Sequence, residues 1–153
     1  MNIFVLHKDP TIAAQMACDK HVVKMILETA QMLCTAARAK SAWAPYGATH
    51  KGHPCTIWTG TSKGNWDWLV DHGKALCAEY TKRYRRRHKS ENVIQYCAQL
   101  NLSFELQEKT PFAQAMPPQY KNECPVMAYR AYYMGEKAAF ATWKTQTPDW
   151  WRV

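Results

Sequence analysis

The stretch Asp9–Ala39, DPTIAAQMACDKHVVKMILETAQMLCTAARA, decides the fold of this protein. Asp9 offers a capping carboxylate, and Pro10 has the backbone φ that suits a first helical position, so this pair predicts a helix start. No glycine or second proline follows within the stretch, and apolar residues recur at steps of three and four. These residues are Met16, Val23, Ile26, Leu27, Ala30, Leu33, Cys34 and Ala37. The spacing predicts one amphipathic helix from Pro10 to about Ala39.

Shorter helices are predicted after this stretch. Prolines and glycines make Ser41–Gly60 a loop, and four prolines make Thr110–Pro125 an irregular crossover. Helices are expected from about Ser62 to Arg87, from Ser90 through Leu100, and from Pro125 onward with Phe140 and Trp143 on the inner face. Thr147–Val153 is an aromatic tail. We therefore expect residues 1–153 to form an all-α, single compact domain of three to four helices, with a long N-terminal helix and an aromatic C-terminal segment.

The charge of the chain favours an anionic partner. Twenty Lys and Arg residues face 12 acidic ones, which gives a net charge of +8. This excess attracts phosphate backbones or anionic membranes, and nucleic acid is the first candidate. No apolar run approaches the roughly 20 residues that a bilayer requires, and the first ten residues lack a signal-peptide centre. We expect a cytoplasmic protein without a membrane partner.

Six cysteines at positions 18, 34, 55, 77, 97 and 124 contain no Cys-x-x-Cys pair. Zinc sites and redox motifs require closer pairs. We interpret these residues as reduced thiols that pack as small hydrophobic side chains.

Four polar residues form a stripe on the first helix: His21, Lys24, Glu28 and Gln31. The stripe is consistent with a solvated face on which Lys24 and Glu28 form an i,i+4 ion pair. A histidine, a lysine and a glutamate on one rigid helix are equally what proton transfer at a sugar or phosphate would use.

The loop residues His50, His53 and Cys55 permit two interpretations. Their spacing suggests a metal site to which Glu28 would add a ligand, but the usual zinc spacing and a second paired motif are missing. Alternatively, the histidines bind phosphates or orient a catalytic carboxylate.

A run of cations ends the second predicted helix: Lys82, Arg83, Arg85, Arg86, Arg87, His88 and Lys89. Cations suit the C-terminal end of a helix dipole, but this run exceeds what capping needs and indicates phosphate contacts. Tyr132 and the tail tryptophans are available to stack on bases, whereas Tyr129, Tyr133 and Trp143 are expected in the core.

The segment Asp19-Lys20-His21-(six residues)-Glu28 resembles the first helix of the phage pyrimidine-dimer DNA glycosylases with AP-lyase activity, the endonuclease V type. In that family the glutamate is catalytic. Gly52-His53, Trp58, Leu69, Leu76, Glu79 and Arg83 are similar to its second helix, and Tyr129–Lys137 is similar to its aromatic, basic C-terminal stretch. The chain departs from the family in beginning Met1-Asn2 instead of a processed threonine, in having Leu27 and Met32 where basic side chains flank the glutamate, and in a C-terminal motif one residue longer.

The resemblance implies catalytic roles for Met1, Glu28 and His21. The α-amine of Met1 would attack the sugar C1′, because an α-amine has a pKa near 8 and is neutral more readily than lysine. Glu28 would stabilise the oxocarbenium charge and shuttle protons, and His21 would hold a phosphate or tune that carboxylate. Lys24 is the alternative nucleophile. Contacts to DNA are expected from Lys24, His53, Arg83, Arg85, Arg86, Arg87, Arg130 and Tyr132.

We therefore expect a monomeric DNA glycosylase and AP lyase that removes a damaged or modified pyrimidine from double-stranded DNA without a metal or other cofactor. Two alternatives stay open at this point. One is a non-catalytic nucleic-acid-binding or host-targeting phage protein. The other is a metal-dependent nuclease built from His21, Glu28, His50 and His53.

Overall fold

Six α-helices make up the regular structure in a computed structural model that describes residues 1–153. They are α1 (Pro10–Met16), α2 (Asp19–Ala39), α3 (Pro54–Thr61), α4 (Lys63–Tyr84), α5 (Glu91–Ala98) and α6 (Pro125–Glu136), with a short 3₁₀ turn at Pro118–Tyr120. The all-α prediction is confirmed, although there are six helices and not three or four. The only strand-like contact is an isolated bridge between Ser62 and Leu106.

The predicted first helix is in fact two helices, so the expectation of one continuous helix to Ala39 was wrong. The Asp9 carboxylate caps α1 by accepting from the backbone N–H groups of Thr11 and Ile12, as expected. The chain then turns extended at Ala17, with φ −65° and ψ 136°, before α2 begins. The sequence contains no residue that would force this break.

Tertiary hydrogen bonds make the break between α1 and α2. The Arg83 guanidinium donates to the carbonyls of Gln15 and Ala17 at 3.0 and 2.7 Å. The Cys18 N–H donates to the Tyr133 hydroxyl at 3.2 Å. The Met16 carbonyl accepts from the Trp143 indole at 2.9 Å. Because these partners satisfy the backbone groups, the loss of helical hydrogen bonds here costs little free energy.

The expected DNA contact at Arg83 is contradicted by this arrangement. Its side chain is fully buried and also forms ion pairs with Asp19 at 3.2 Å and Glu79 at 2.9 Å. Every guanidinium nitrogen therefore has a partner inside the protein, and none faces a phosphate. The role of Arg83 is structural.

Two further boundaries differ from the prediction. Helix α3 lies inside the expected Ser41–Gly60 loop, where His53 caps it by accepting from the Cys55 N–H and Pro54 occupies its first turn. Helix α6 begins at Pro125 as predicted but ends at Glu136, so Phe140 and Trp143 lie outside it.

One hydrophobic cluster forms the core. Helices α2 and α4 pack against each other and each also contacts α3 and α5, while α1 lies on α4. The segment Ile3–Leu6, which turns at Phe4 with φ 50°, is buried in the same cluster beside Tyr129 and Tyr133 of α6. All six cysteines are free thiols. No helix of the protein combines the length and the apolar character that a membrane crossing demands.

Two residues of the predicted apolar stripe do not enter this core. Val23 is 37% exposed and Leu27 is 41% exposed, whereas His21 and Glu28 are buried. The buried face of α2 is thus rotated toward its histidine and glutamate. The interpretation of the His21–Glu28 stripe as a simple solvated face was wrong for these two residues.

We expect Arg83→Met to lower the free energy of unfolding by about 3–5 kcal/mol, because it leaves Asp19 and Glu79 buried without their countercharge. Urea unfolding followed by circular dichroism measures this. Arg86→Met, on an exposed arginine near the same helix end, is the control and should change stability by less than about 0.5 kcal/mol. A loss of under about 1 kcal/mol for Arg83→Met would contradict the structural role.

A second prediction concerns His72, whose Nδ1 lies 2.9 Å from the Pro10 carbonyl between α4 and α1. Burial lowers the pKa of His72 from 6.5 to about 4, although the hydrogen bond to Pro10 opposes the shift. Between these two values the unfolded chain binds the extra proton, so the stability of the fold decreases as the pH falls through this window.

Replacing His72 with glutamine keeps a donor for Pro10 and removes the titration. The decrease in urea-derived stability between about pH 7 and about pH 5 should therefore be smaller in His72→Gln than in the wild type. An equal decrease in both proteins would show that His72 does not titrate in this way.

Candidate active site

The N-terminal segment is held in place by hydrogen bonds of Asn2. Asn2 is buried, and its side-chain amide donates to the Ala115 carbonyl at 2.7 Å. Its side-chain oxygen accepts from the Tyr129 hydroxyl at 2.9 Å and from the Ile3 N–H at 2.8 Å. These bonds tie the first residues to α6 and to the crossover that precedes it. The position of the terminal amine is consequently set by the core.

The α-amino group of Met1 lies 2.8 Å from Oε1 of Glu28. The Met1 side chain is 2% exposed and the Glu28 side chain 9% exposed. Because Met1 as a whole is half-buried while its side chain is covered, the part of Met1 that faces solvent is its backbone. Oε1 is buried and has no other polar partner. An amine and a carboxylate thus meet in a mostly dry site that is open on the backbone side.

Lys24 stands at the edge of this pair. Its ammonium lies 3.8 Å from Oε2 of Glu28, and its side chain is 65% exposed. The i,i+4 spacing on α2 produces this contact. The carboxylate therefore has one cationic neighbour held in place at the chain terminus and one that reaches into solvent.

His53 lies against the same amine. Its Nδ1 accepts from the Cys55 N–H, so the ring proton is on Nε2 when the ring is neutral. Burial, then the positive charge of the Met1 amine and the proximity of His50, lower the pKa of His53, while Glu28 and a hydrogen bond to the Met1 backbone raise it. A lowered pKa favours the neutral form of the His53 ring. This suits a residue that positions Met1 better than one that binds a phosphate as a cation.

His21 belongs to a separate aromatic cluster. Its Nδ1 lies 2.7 Å from the Tyr133 hydroxyl, and its ring stacks on Phe4 at 4.3 Å. Burial, followed by the charges of Lys137, Lys24 and Lys20, lowers the pKa of His21 to about 3. The ring is therefore neutral at physiological pH. Neutral and paired with Tyr133, it lacks the charge expected of a phosphate ligand.

The C-terminal residues of the predicted interface lie around this aromatic cluster. Tyr132 stacks on Phe4 at 6.1 Å, and Lys137 lies 4.7 Å above the Tyr132 ring. Arg130 donates to the Leu6 carbonyl at 2.9 Å and is half-buried. Lys137 was absent from the predicted set, because a lysine just past a helix end has no distinguishing spacing.

The basic run starts in the last turn of α4 and leaves the helix at Arg85, which has the left-handed conformation with φ 57°. Arg85 and Arg86 are exposed, whereas Arg87 forms an ion pair with Glu91 at 2.7 Å. The ring of His88 reaches α2, where its Nε2 lies 3.1 Å from the Val23 carbonyl. The run is thus fixed against the exposed face of the helix that carries Glu28.

The four residues of the metal-site hypothesis are not assembled. No group of three or more His, Cys, Asp or Glu side chains is placed to hold a metal ion. His21 is paired with Tyr133, and Glu28 is paired with Met1. The arrangement offers amine and carboxylate chemistry in place of a metal centre.

Asn2 and Tyr129 are the residues of this site that the sequence did not reveal as functional. Asn2 has no local pattern, and its partners at Ala115 and Tyr129 lie 113 and 127 residues away. Tyr129 was expected in the core, where it is indeed fully buried. Its hydroxyl links α6 to Asn2, and the Arg130 side chain of the same helix binds the Leu6 carbonyl.

Comparison with known proteins identifies a family for this chain. A family model described as pyrimidine dimer DNA glycosylase matches residues 1–92. No curated protein and no solved structure matches the chain. The matched part includes Met1, Glu28, His53 and the basic run, but not the C-terminal stretch Tyr129–Lys137. Since the match covers more than half of the residues and all of the amine–carboxylate site, the chain belongs to the pyrimidine dimer DNA glycosylase family.

Proposed function

We propose that this protein excises a damaged or modified pyrimidine, as in a pyrimidine dimer, from double-stranded DNA and then cleaves the strand as an AP lyase. The observation that carries the proposal is the contact of 2.8 Å between the Met1 amine and the Glu28 carboxylate, both in a largely buried site. Membership of the glycosylase family supports the substrate class. The amine mechanism and the strand cleavage are proposals that go beyond the family membership.

The first step is attack on the sugar. The neutral α-amine of Met1 forms a bond to C1′ while the bond from C1′ to the base breaks and the base leaves with the electron pair. The positive charge that develops on the sugar lies beside Glu28, whose carboxylate stabilises it. Loss of the amine proton and opening of the sugar ring then produce an imine between Met1 and C1′.

The second step is elimination. The imine acidifies the C2′ proton, and a base removes it while the bond from C3′ to its phosphate oxygen breaks. Glu28 is placed to act as this base, because its Oε1 has no other hydrogen-bond partner once the amine is bound to sugar. Water then hydrolyses the imine and frees the enzyme.

His53 and Asn2 are positioning residues in this scheme. His53 lies beside the Met1 amine, whose charge contributes to lowering the pKa of His53, and the Asn2 side chain bonds to Tyr129. An amine on a fixed backbone loses less freedom on attack than one on a flexible lysine side chain. This difference favours Met1 over the exposed Lys24 as the nucleophile.

The cations around the site supply the DNA affinity. Lys20 and Lys24 line the exposed face of α2, and Arg85 and Arg86 extend the positive surface from its side. Tyr132 and Lys137 extend it from α6. We propose that the protein acts on DNA as a monomer in the cytoplasm.

The chemistry is tested by Glu28→Gln, which keeps the shape of the side chain and removes its charge. Base release and strand scission should fall by a factor on the order of 10² or more, because a charge stabiliser and proton carrier is lost. DNA affinity should be equal or higher, since a carboxylate near phosphates repels them. Glu108→Gln, on an exposed glutamate without a partner, is the matched control and should change neither quantity.

The nucleophile is identified by adding borohydride to the wild type during its reaction with DNA that carries an abasic site. We expect a covalent adduct whose DNA-linked peptide begins at Met1. A trapped peptide that contains Lys24 would move the nucleophile to that residue. Full activity of Glu28→Gln, or no adduct during scission, would refute the mechanism.

The DNA surface is tested by replacing Arg85 and Arg86 with alanine. Binding should weaken similarly for all sequences, and the slope of log affinity against log salt should flatten by about two phosphate units. Adding Arg87→Ala should contribute less, because Arg87 is already paired with Glu91. Lys63→Ala, at the opposite end of α4, is the control, and an equal slope change there would show that the run is not the contact surface.

A further inference from the structure

An aliphatic ridge interrupts the cationic surface beside Glu28. Val23 and Leu27, four residues apart on α2, form this ridge, and they are 37% and 41% exposed. Lys20 and Lys24 run parallel to it on the same face of the helix. An isolated exposed leucine is ordinary, but two aliphatic side chains in line between the lysines of α2 and the basic run are not explained by packing.

The ridge is fixed at both ends relative to the reacting groups. Leu27 precedes Glu28 directly, and the Lys24 ammonium one turn away lies 3.8 Å from the Glu28 carboxylate. At the other end, the Val23 carbonyl lies 3.1 Å from the His88 ring of the basic run. DNA that contacts Arg85 and Arg86 while its sugar reaches Met1 therefore lies across Val23 and Leu27.

We propose that Val23 and Leu27 act as a wedge that enters a groove of the DNA at the target site and separates the stacked bases there. This inference rests on the proposed function. A base inside a duplex is shielded by its neighbours, so the C1′ of a paired nucleotide reaches a fixed amine only when the stack opens. Apolar side chains that insert between base steps open the stack and kink the duplex. On the Met1–Glu28 site, whose amine cannot move far, this opening has to come from the adjacent protein surface.

Charge decides that the occupant of the ridge is DNA and not a protein. Lys20 and Lys24 border it, and the acidic residues next to it on α2, Asp19 and Glu28, are both buried and paired with Arg83 and the Met1 amine. Two side chains are also far below the area that a stable protein interface needs. The surrounding cations can instead bind the DNA phosphates on either side of the inserted Val23 and Leu27 side chains.

The wedge is expected to matter differently for two substrates of the same enzyme. A paired, stacked dimer has to be opened before attack, whereas an abasic site has already lost the base and opens at a lower cost. Loss of the wedge should therefore impair dimer excision more than abasic-site scission. A residue that merely contacted DNA, or merely supported the fold, would affect both reactions equally.

The test measures single-turnover rates of dimer excision and of abasic-site scission for Leu27→Ala and Leu27→Met. We expect Leu27→Ala to lower dimer excision by about tenfold and abasic-site scission by less than about threefold. Leu27→Met, which keeps an aliphatic side chain of similar volume, should restore most of the lost rate. Leu106→Ala is the matched control, because Leu106 is 43% exposed and lies beside Ser62. Ser62 precedes the 22-residue α4, at the end of this helix opposite to the basic run. Equal loss on both substrates, or rates for Leu27→Ala equal to those of Leu106→Ala, would overturn the wedge.

A binding measurement keeps the wedge testable apart from the chemistry. DNA with 2-aminopurine beside the lesion should become more fluorescent when it binds Glu28→Gln, and less so when it binds Glu28→Gln combined with Leu27→Ala. If the wild type has no glycosylase or lyase activity but this difference appears, the proposed function fails and the wedge stands. If the wild type is active and the difference is absent, the wedge fails and the proposed function stands.

Discussion

The guanidinium of Arg83 joins the end of α1, the start of α2 and the body of α4 through hydrogen bonds to two carbonyls and ion pairs with Asp19 and Glu79. A buried cation is costly unless every donor has a partner, and here every donor does. The network can be completed only when the chain bends between Met16 and Asp19. That bend fixes where α2 begins, and therefore which of its faces turns inward. The placement of Glu28 follows from it.

The same logic of buried polar groups applies to the N-terminus. Asn2 cannot be buried without partners for its amide, and Tyr129 and Ala115 provide them. Met1 is then carried to within 2.8 Å of Glu28. An amine and a carboxylate held this way need little rearrangement to meet a sugar. The stability of the fold and the geometry of the proposed catalytic pair thus depend on one set of contacts between the first residues and α6.

Charge is distributed around this site in two layers. The buried layer consists of the Met1–Glu28 pair and of the rings of His53 and His21, whose pKa values are lowered mainly by burial. The exposed layer consists of the lysines of α2 and the arginines that follow α4. The neutral histidines leave proton transfer in the proposed mechanism to the amine and the carboxylate, and the outer layer is the surface proposed to bind DNA. Val23 and Leu27 are the apolar break between the cations of that outer layer.

The sequence alone determined the all-α class, the start of α1 at Asp9-Pro10, the start of α4 near Ser62 and the start of α6 at Pro125. It also indicated an attraction to polyanions and made Glu28 and His53 candidates, whereas Met1 became a candidate through the family resemblance. These features depend on charge totals or on residues within about four positions of each other, which a linear pattern contains. The resemblance to a glycosylase family then supplied the roles of the candidates.

Only the tertiary structure decided the break at Ala17, the burial of Arg83, the exposure of Leu27 and the separation of His21 from Glu28. The break depends on Arg83 and Tyr133, which lie 66 and 115 residues from the groups that they bond. Helix periodicity predicted one apolar stripe because it assumes an uninterrupted helix. The bend rotates the buried face of α2 away from the direction that one straight helix would give it. Arg83 looked like its arginine neighbours, because in a sequence a cation that is buried with two carboxylates cannot be told from one that is in water.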